Sequence, residues 1–139
     1  MSKRRLPPKT CVYSPRSAPK GKVPDSVKTE VSQQAQKIIE EWKPQFVEAP
    51  PKDREWNYIV DLSTKWHRDY FYFVAKYASP GPTAISPFFD APFTRLEYVR
   101  NQRFNLSFMR HTGRWVEVER ELTLAKALES IRNKGFYHP

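Results

Sequence analysis

The sequence predicts an α+β fold: an N-terminal helix, an antiparallel meander of about five strands and a C-terminal helix, with both helices on one face of the sheet. Three observations lead there. Apolar residues recur with a helical period near residues 27–42 and again near residues 124–131. Between them, apolar residues recur mostly at every second position, in short runs separated by turn residues. The face left over by that alternation is partly polar, so only one face of the sheet needs covering.

Pro24-Asp25 reads as a helix start with Asp25 as N-cap. Val27, Val31, Ala35, Ile38 and Trp42 then recur at spacings of 4, 4, 3 and 4, and Lys28, Glu30, Gln33, Gln34, Lys37, Glu40 and Glu41 fall largely off that stripe. Pro44 is expected to end the helix, and residues 47–55, with Pro50-Pro51, to form a linker. From Asn57 to Trp66 the alternation of Tyr58, Val60, Leu62 and Trp66 with Asn57, Asp61 and Lys65 predicts a strand with one buried face. Tyr70 to Tyr77 is apolar on both faces and is expected to be a central strand. Ser79-Pro80-Gly81-Pro82 should stop it and open a long loop reaching Pro92.

Thr94, Leu96 and Tyr98 line one face of the next strand and Arg95, Glu97 and Val99 the other, up to a turn at Asn101-Gln102. Phe104, Leu106 and Phe108 continue the apolar face opposite Arg103, Asn105, Ser107 and Met109. Thr112-Gly113 turns the chain into Arg114 to Val118, where Val116 and Val118 are expected to point to the core. Thr123 can cap a last helix whose buried stripe is Leu124, Ala127, Leu128 and Ile131, with Gly135 as C-cap.

Charge divides the chain unevenly. Of the net +9, Lys3, Arg4, Arg5, Lys9, Arg16, Lys20 and Lys22 supply seven in a segment without a single acid, which also carries Pro7, Pro8, Pro15 and Pro19. Residues 1–22 therefore read as a solvated, extended basic arm, and residues 23–139 as one α+β domain. Such an arm either holds nucleic acid through phosphate attraction and counterion release or serves only to solubilise the chain. The one cysteine, Cys11, has no partner in the chain, which suits a reducing compartment. The longest apolar or aromatic run, Tyr70 to Ala75, is far short of the roughly 18 residues a membrane helix needs. Pro7-Pro8-Lys9 stands where a signal peptide would need an apolar stretch, so a cytoplasmic location is expected.

Tyr98-Val99-Arg100, Phe104, Leu106-Ser107-Phe108-Met109-Arg110 and Trp115, followed by the helix from Leu124 to Ile131 and the late Phe136, resemble bacterial domain-of-unknown-function family 3024, mainly over residues 92–139. The resemblance implies the α+β fold. It names no activity and no catalytic residue.

Chemistry-bearing patterns are sparse. His67-Arg68-Asp69 matches part of a kinase catalytic loop, but that loop needs an Asn where Val74 stands, and no glycine-rich phosphate loop exists. His67, His111 and His138 lie far apart, which argues against zinc. Asp61, Asp90, Glu97, Glu117 and Glu119 could assemble a Mg²⁺-dependent nuclease site, with Asp61, Glu117 and Glu119 as its centre, although cross-strand pairing of Glu117 and Glu119 with arginines on the outer face explains those acids equally.

Six arginines, Arg95, Arg100, Arg103, Arg110, Arg114 and Arg120, fall between residues 95 and 120 against three glutamates, Glu97, Glu117 and Glu119. With Trp115, Asn105 and Ser107 they offer a platform that stacks a base while meeting a phosphate, or a solvated face of Glu-Arg pairs.

These readings combine into a small non-enzymatic binding protein without a cofactor. Its arm residues Lys3, Arg4, Arg5, Lys9, Arg16, Lys20 and Lys22 would contact phosphates, and Arg103, Arg110, Arg114 and Trp115 would shape the folded part of the site. The expected partner is nucleic acid, RNA or a ribonucleoprotein before DNA, because no helix is set apart to enter a major groove. The alternatives are an assembly component whose Pro-rich arm docks on a larger protein, and the nuclease. Open sheet edges leave monomer and dimer both open.

Overall fold

A computed structural model of the chain describes residues 23–47, 57–79 and 87–139. The expected basic arm and most of the expected linker lie outside the described residues. Helix α1 (Asp25–Phe46) leads into five strands, β1 (Tyr58–His67), β2 (Tyr70–Ala78), β3 (Phe88–Arg100), β4 (Arg103–Met109) and β5 (Trp115–Leu122), followed by helix α2 (Leu124–Asn133) and a 3-10 turn at Gly135–Tyr137. The strands lie in the sheet in chain order and every neighbouring pair is antiparallel, which is the predicted meander. No helix among the described residues is long and apolar enough to cross a membrane.

Tight turns join β1 to β2, β3 to β4 and β4 to β5. Arg68 between β1 and β2 has φ 56°, and Asn101 and Gln102 between β3 and β4 have φ 52° and 57°. Two successive left-handed residues in a two-residue loop match the right-handed twist of the flanking strands. Between β4 and β5 the chain turns through Gly113 at φ 83°, with the Gly113 amide donating to the Arg110 carbonyl at 2.8 Å and the Arg110 amide to the Arg114 carbonyl at 2.9 Å.

Both helices pack on the same face. Val27, Val31, Ala35, Ile38, Ile39 and Trp42 of α1 and Ala127, Leu128 and Ile131 of α2 join Leu62, Phe71, Phe73, Leu96, Phe104 and Leu106 in one core. Trp42 packs against Phe73 and Phe93 at ring separations of 6.1 and 6.2 Å. Tyr137 is fully buried behind the end of α2, where the Thr94 hydroxyl donates to its carbonyl at 2.6 Å.

Local expectations are corrected at the helix ends. Pro24, not Asp25, caps α1: its carbonyl accepts from the Lys28 amide at 3.0 Å, and Asp25 becomes the first helical residue, where its charge suits the positive end of the helix. Pro44 does not end α1, which runs on to Phe46. A proline in the last turn forfeits one hydrogen bond, the Val47 amide still reaches the Lys43 carbonyl at 3.0 Å, and Phe46 gains an edge contact with Trp42 at 5.9 Å. Thr123 caps α2 as expected, accepting from the Lys126 amide. Lys134 takes the C-cap position expected of Gly135, which instead opens the 3-10 turn.

The larger corrections come from bulges. Pairing in β1 jumps from Ile59↔Tyr77 to Asp61↔Lys76, so Val60 is an extra residue and the buried positions are Ile59 and Leu62, not an unbroken even series. β3 begins at Phe88, inside the expected loop. Its ladder with β2 passes from Thr94 to Pro92 with Phe93 extra, and β4 pairs it only from Thr94 onward, so Pro92 falls at a bulge where the strand has one neighbour. In β5, Ser107↔Glu117 is followed by Leu106↔Glu119, which makes Val118 the extra residue. Val118 is 42% exposed and does not point to the core. A second irregularity lies at Glu121, whose φ is 53° and whose amide donates to the Asn105 side-chain oxygen at 2.9 Å instead of to the ladder.

Candidate nucleic-acid interface

No described helix covers the second face of the sheet. Residues opposite each other in an antiparallel ladder share a face. The pairings Lys65↔Tyr72, Tyr72↔Arg95, Arg95↔Ser107 and Ser107↔Glu117 therefore form one row across all five strands. His67, Tyr70, Glu97 and Asn105 form part of a second row beside it, and Met109 and Trp115 meet at the hairpin end. The strand parity that sends Phe71, Phe73, Leu96 and Leu106 into the core sends these residues outward.

At the centre is Arg95. Its guanidinium carbon is 4.5 Å from the Tyr70 ring centre and 4.7 Å from that of Trp115. Tyr72 lies 5.7 Å from Trp115 and 6.1 Å from Tyr70, and the Lys65 ammonium is 5.9 Å above the Tyr72 ring. The Arg95 Nε is buried without a hydrogen-bond partner among the described residues, and the guanidinium packs between the two aromatic rings. Two acids of the face are engaged within the fold: Glu117 pairs with Arg120, and Glu97, which is buried, accepts from the Asn105 side-chain amide at 3.4 Å. Lys65, His67, Tyr72, Pro92 and Trp115 line a cavity of about 340 Å³ next to Arg95.

Of the residues expected to shape a site, Trp115 is in this cluster. Arg110 and Arg114 are exposed on the adjoining hairpin turn. Arg103 is at the opposite end of its strand, paired with Arg100 beside the β3–β4 turn and lining a separate cavity of about 350 Å³ with Val27, Glu30 and Thr123. Lys3, Arg4, Arg5, Lys9, Arg16, Lys20 and Lys22 lie outside the described residues. Sequence reasoning counted Arg95 among six arginines without singling it out, weighed His67 only against a kinase loop and a zinc site, and gave Lys65, Tyr70 and Tyr72 no part in a site. Alternation could assign each to a face, but their adjacency depends on strand order and register.

The acidic constellation is not assembled. Asp61 is on β1 and Glu117 and Glu119 are on β5, at opposite edges of the sheet. The Val118 bulge also places Glu119 opposite Leu106 on the helix-covered face, not on the outer face beside Glu117. There its carboxylate accepts from the Tyr137 hydroxyl at 2.8 Å and the Ser130 hydroxyl at 3.1 Å, and pairs with the Lys134 ammonium at 3.2 Å. Partial burial pushes the Glu119 carboxyl up, but those hydrogen bonds and the Lys134 charge outweigh it and hold the group below the usual carboxylate range. Burial and the same carboxylate push the Tyr137 phenol well above its ordinary range. Among the described residues, no group of three or more His, Cys, Asp or Glu is placed to hold a metal ion.

Residues 23–138 match the family described as Domain of unknown function (DUF3024). The chain belongs to the DUF3024 family. The match spans α1, all five strands, α2 and the buried Tyr137, well beyond the C-terminal part on which the resemblance rested, and the basic segment before Val23 is outside it. No curated protein and no solved structure matches the chain. For this DUF3024 chain, the reading of the site therefore rests on its own residues.

Proposed function

We propose that this protein binds single-stranded nucleic acid, RNA or a ribonucleoprotein before DNA, on the uncovered face of the sheet. The observation that carries the reading is the Arg95 guanidinium held between Tyr70 and Trp115, with Tyr72 and Lys65 alongside. Aromatic faces stack unpaired bases, and cations fixed among them meet the phosphates between those bases. Both helices are committed to the core, so neither is free to enter a duplex groove. In this reading the seven cations of residues 1–22 add sequence-independent phosphate contacts, and Arg110 and Arg114 extend the positive rim.

The test is binding of the full chain to a fluorescent single-stranded RNA across a salt series, with a duplex of the same sequence as control. The expected outcome is tighter binding of the single strand, with log affinity falling linearly against log salt, and a marked loss in Arg95→Ala or Trp115→Ala. Affinity indifferent to salt, or equal for Trp115→Ala and the parent, would overturn the reading.

A further inference from the structure

Among the described residues the basic side chains do not form a continuous track. Lys65 and His67 border the cavity at one edge of the cluster, Arg110 and Arg114 occupy the β4–β5 turn, and Arg103 is at the far end of β4. A strand laid across the face would find no regular series of phosphate contacts. At one place, though, a cavity, an aromatic wall and a cation coincide.

We propose that the cavity bordered by Trp115, Tyr72, Lys65, His67 and Pro92 is a site for one purine nucleoside 5′-phosphate, either free or as an unpaired nucleotide of a strand. The inference rests on the nucleic-acid reading and narrows it to a single nucleotide. At about 340 Å³ the cavity is at the small end of ligand clefts, which run from about 300 to 1,000 Å³, so it suits one nucleotide and not a tract.

Its walls fit the parts of that ligand. Trp115 and Tyr72 pack on each other at 5.7 Å, tilted by 50°, and both border the cavity, so a base entering it can stack on one ring and meet the edge of the other from the cavity side. Arg95 contacts the same indole without lining the cavity, so it backs the ring and raises the positive potential there while leaving the cavity to the base. Lys65 Nζ, held above Tyr72, supplies the phosphate contact, and His67 a second donor. Among the described residues no carboxylate and no amide side chain lines the cavity, so none of them reads the hydrogen-bonding edge of the base. Selection is then by stacking area, which favours purines over pyrimidines and tolerates either purine.

The test uses the full chain labelled with ¹⁵N and follows its indole N–H signals. Trp115 is assigned by Trp115→Phe. Trp66, whose indole donates to the Lys28 carbonyl and the Ser32 hydroxyl on the helix-covered face, is the internal control. The probes are adenosine 5′-monophosphate, cytidine 5′-monophosphate, ribose 5-phosphate, inorganic phosphate and a single-stranded oligoadenylate. The expected result is a saturable shift of Trp115 but not Trp66 with adenosine monophosphate, weaker with the cytidine analogue and lost with the two probes that lack a base.

Lys65→Gln, at an exposed strand position, should weaken adenosine monophosphate by about fivefold to tenfold, and Trp115→Ala by about tenfold or more. Retained binding in a folded Lys65→Gln protein, or equal shifts from inorganic phosphate and the nucleotide, would overturn the proposal. An oligoadenylate that binds with salt dependence while the mononucleotide leaves Trp115 unmoved would overturn the pocket and leave the nucleic-acid reading standing. A mononucleotide that binds at Trp115 where no strand binds or competes would do the reverse.

Discussion

Phe73 and Tyr72 are neighbours in one strand, yet they belong to opposite kinds of surface. Phe73 is fully buried among Trp42, Phe71 and Phe93, whereas Tyr72 looks away from the helices toward Trp115 and Lys65. The covered face is closed by apolar packing and finished by one satisfied polar knot, in which Glu119 takes Tyr137, Ser130 and Lys134 as partners. The face away from the helices is also aromatic, and its central cation, Arg95, lies against the π-faces of Tyr70 and Trp115, with its Nε unpartnered among the described residues. One side has spent its interactions on folding, and the other is where the proposed ligand would bind.

Truncation on either side separates the two roles. Phe73→Ala is expected to lose about 3–5 kcal/mol in denaturant unfolding, because it opens a cavity under Trp42 that the helix cannot collapse to fill. Tyr72→Ala should lose about 1 kcal/mol, since it removes contacts at a half-buried site. Nucleic-acid affinity should follow the opposite order when measured well below each variant's unfolding midpoint. Equal destabilisation by the two would erase the distinction.

Tyr137→Phe sharpens the comparison at the knot. Removing the hydroxyl deprives the Glu119 carboxylate of one donor and should destabilise by about 1–3 kcal/mol near neutral pH. Its pH dependence follows from the two shifts. The folded phenol is raised above its ordinary value of 10.0, so above that pH the unfolded chain loses a proton that the native state keeps, and stability falls as pH rises. The folded Glu119 carboxyl is lowered, so its contribution is present above its ordinary value of 4.5 and lost as pH falls through the folded one. Tyr137→Phe should flatten the alkaline limb and shallow the acid limb of stability against pH. An unchanged alkaline limb would show that Tyr137 does not carry it.

The fold was largely legible in the sequence because its long-period signals are strong. The stripe from Val27 to Trp42, the Thr123 cap and the alternation from Thr94 to Phe108 each report a buried face directly. What alternation could not show is where it resets. Val60, Phe93 and Val118 are single extra residues whose side chains look like ordinary strand residues, and a bulge is a property of two strands in register, not of one. That is why Glu119 reads as outward beside Glu117. The site was legible only in its ingredients: an Arg-rich stretch and Trp115 are visible locally, whereas bringing Tyr70, Arg95 and Trp115 together takes strands two, three and five of the sheet.

On the uncovered face, Arg95→Lys separates charge from shape. A lysine keeps the cation but loses the planar guanidinium that lies between Tyr70 and Trp115. Stability should change by less than about 1 kcal/mol, since no carboxylate is left unpaired, while affinity for single-stranded RNA should fall by about fivefold. The slope of log affinity against log salt should stay the same, because the charge is retained. Unchanged affinity instead would mean that Arg95 acts as a point charge and that its aromatic setting is incidental.

The smallest expected effect tests how the two faces are divided along β5. Simple alternation puts Val116 and Val118 on the same side, and Thr at either position would then cost the same. The bulge separates them: Val116 opposes Phe108 on the helix side, while Val118 is the unpaired extra residue. Val116→Thr places a hydroxyl beside apolar packing and should cost about 1 kcal/mol; Val118→Thr puts it in water on a residue type that strands accept well and should stay within about 0.5 kcal/mol. Equal costs at both positions would mean that the ladder runs without a bulge at Val118. Glu119 would then return to the outer face, Tyr137 would lose its acceptor, and the uncovered face would gain a carboxylate, which would weaken the electrostatic case for a phosphate-bearing ligand there.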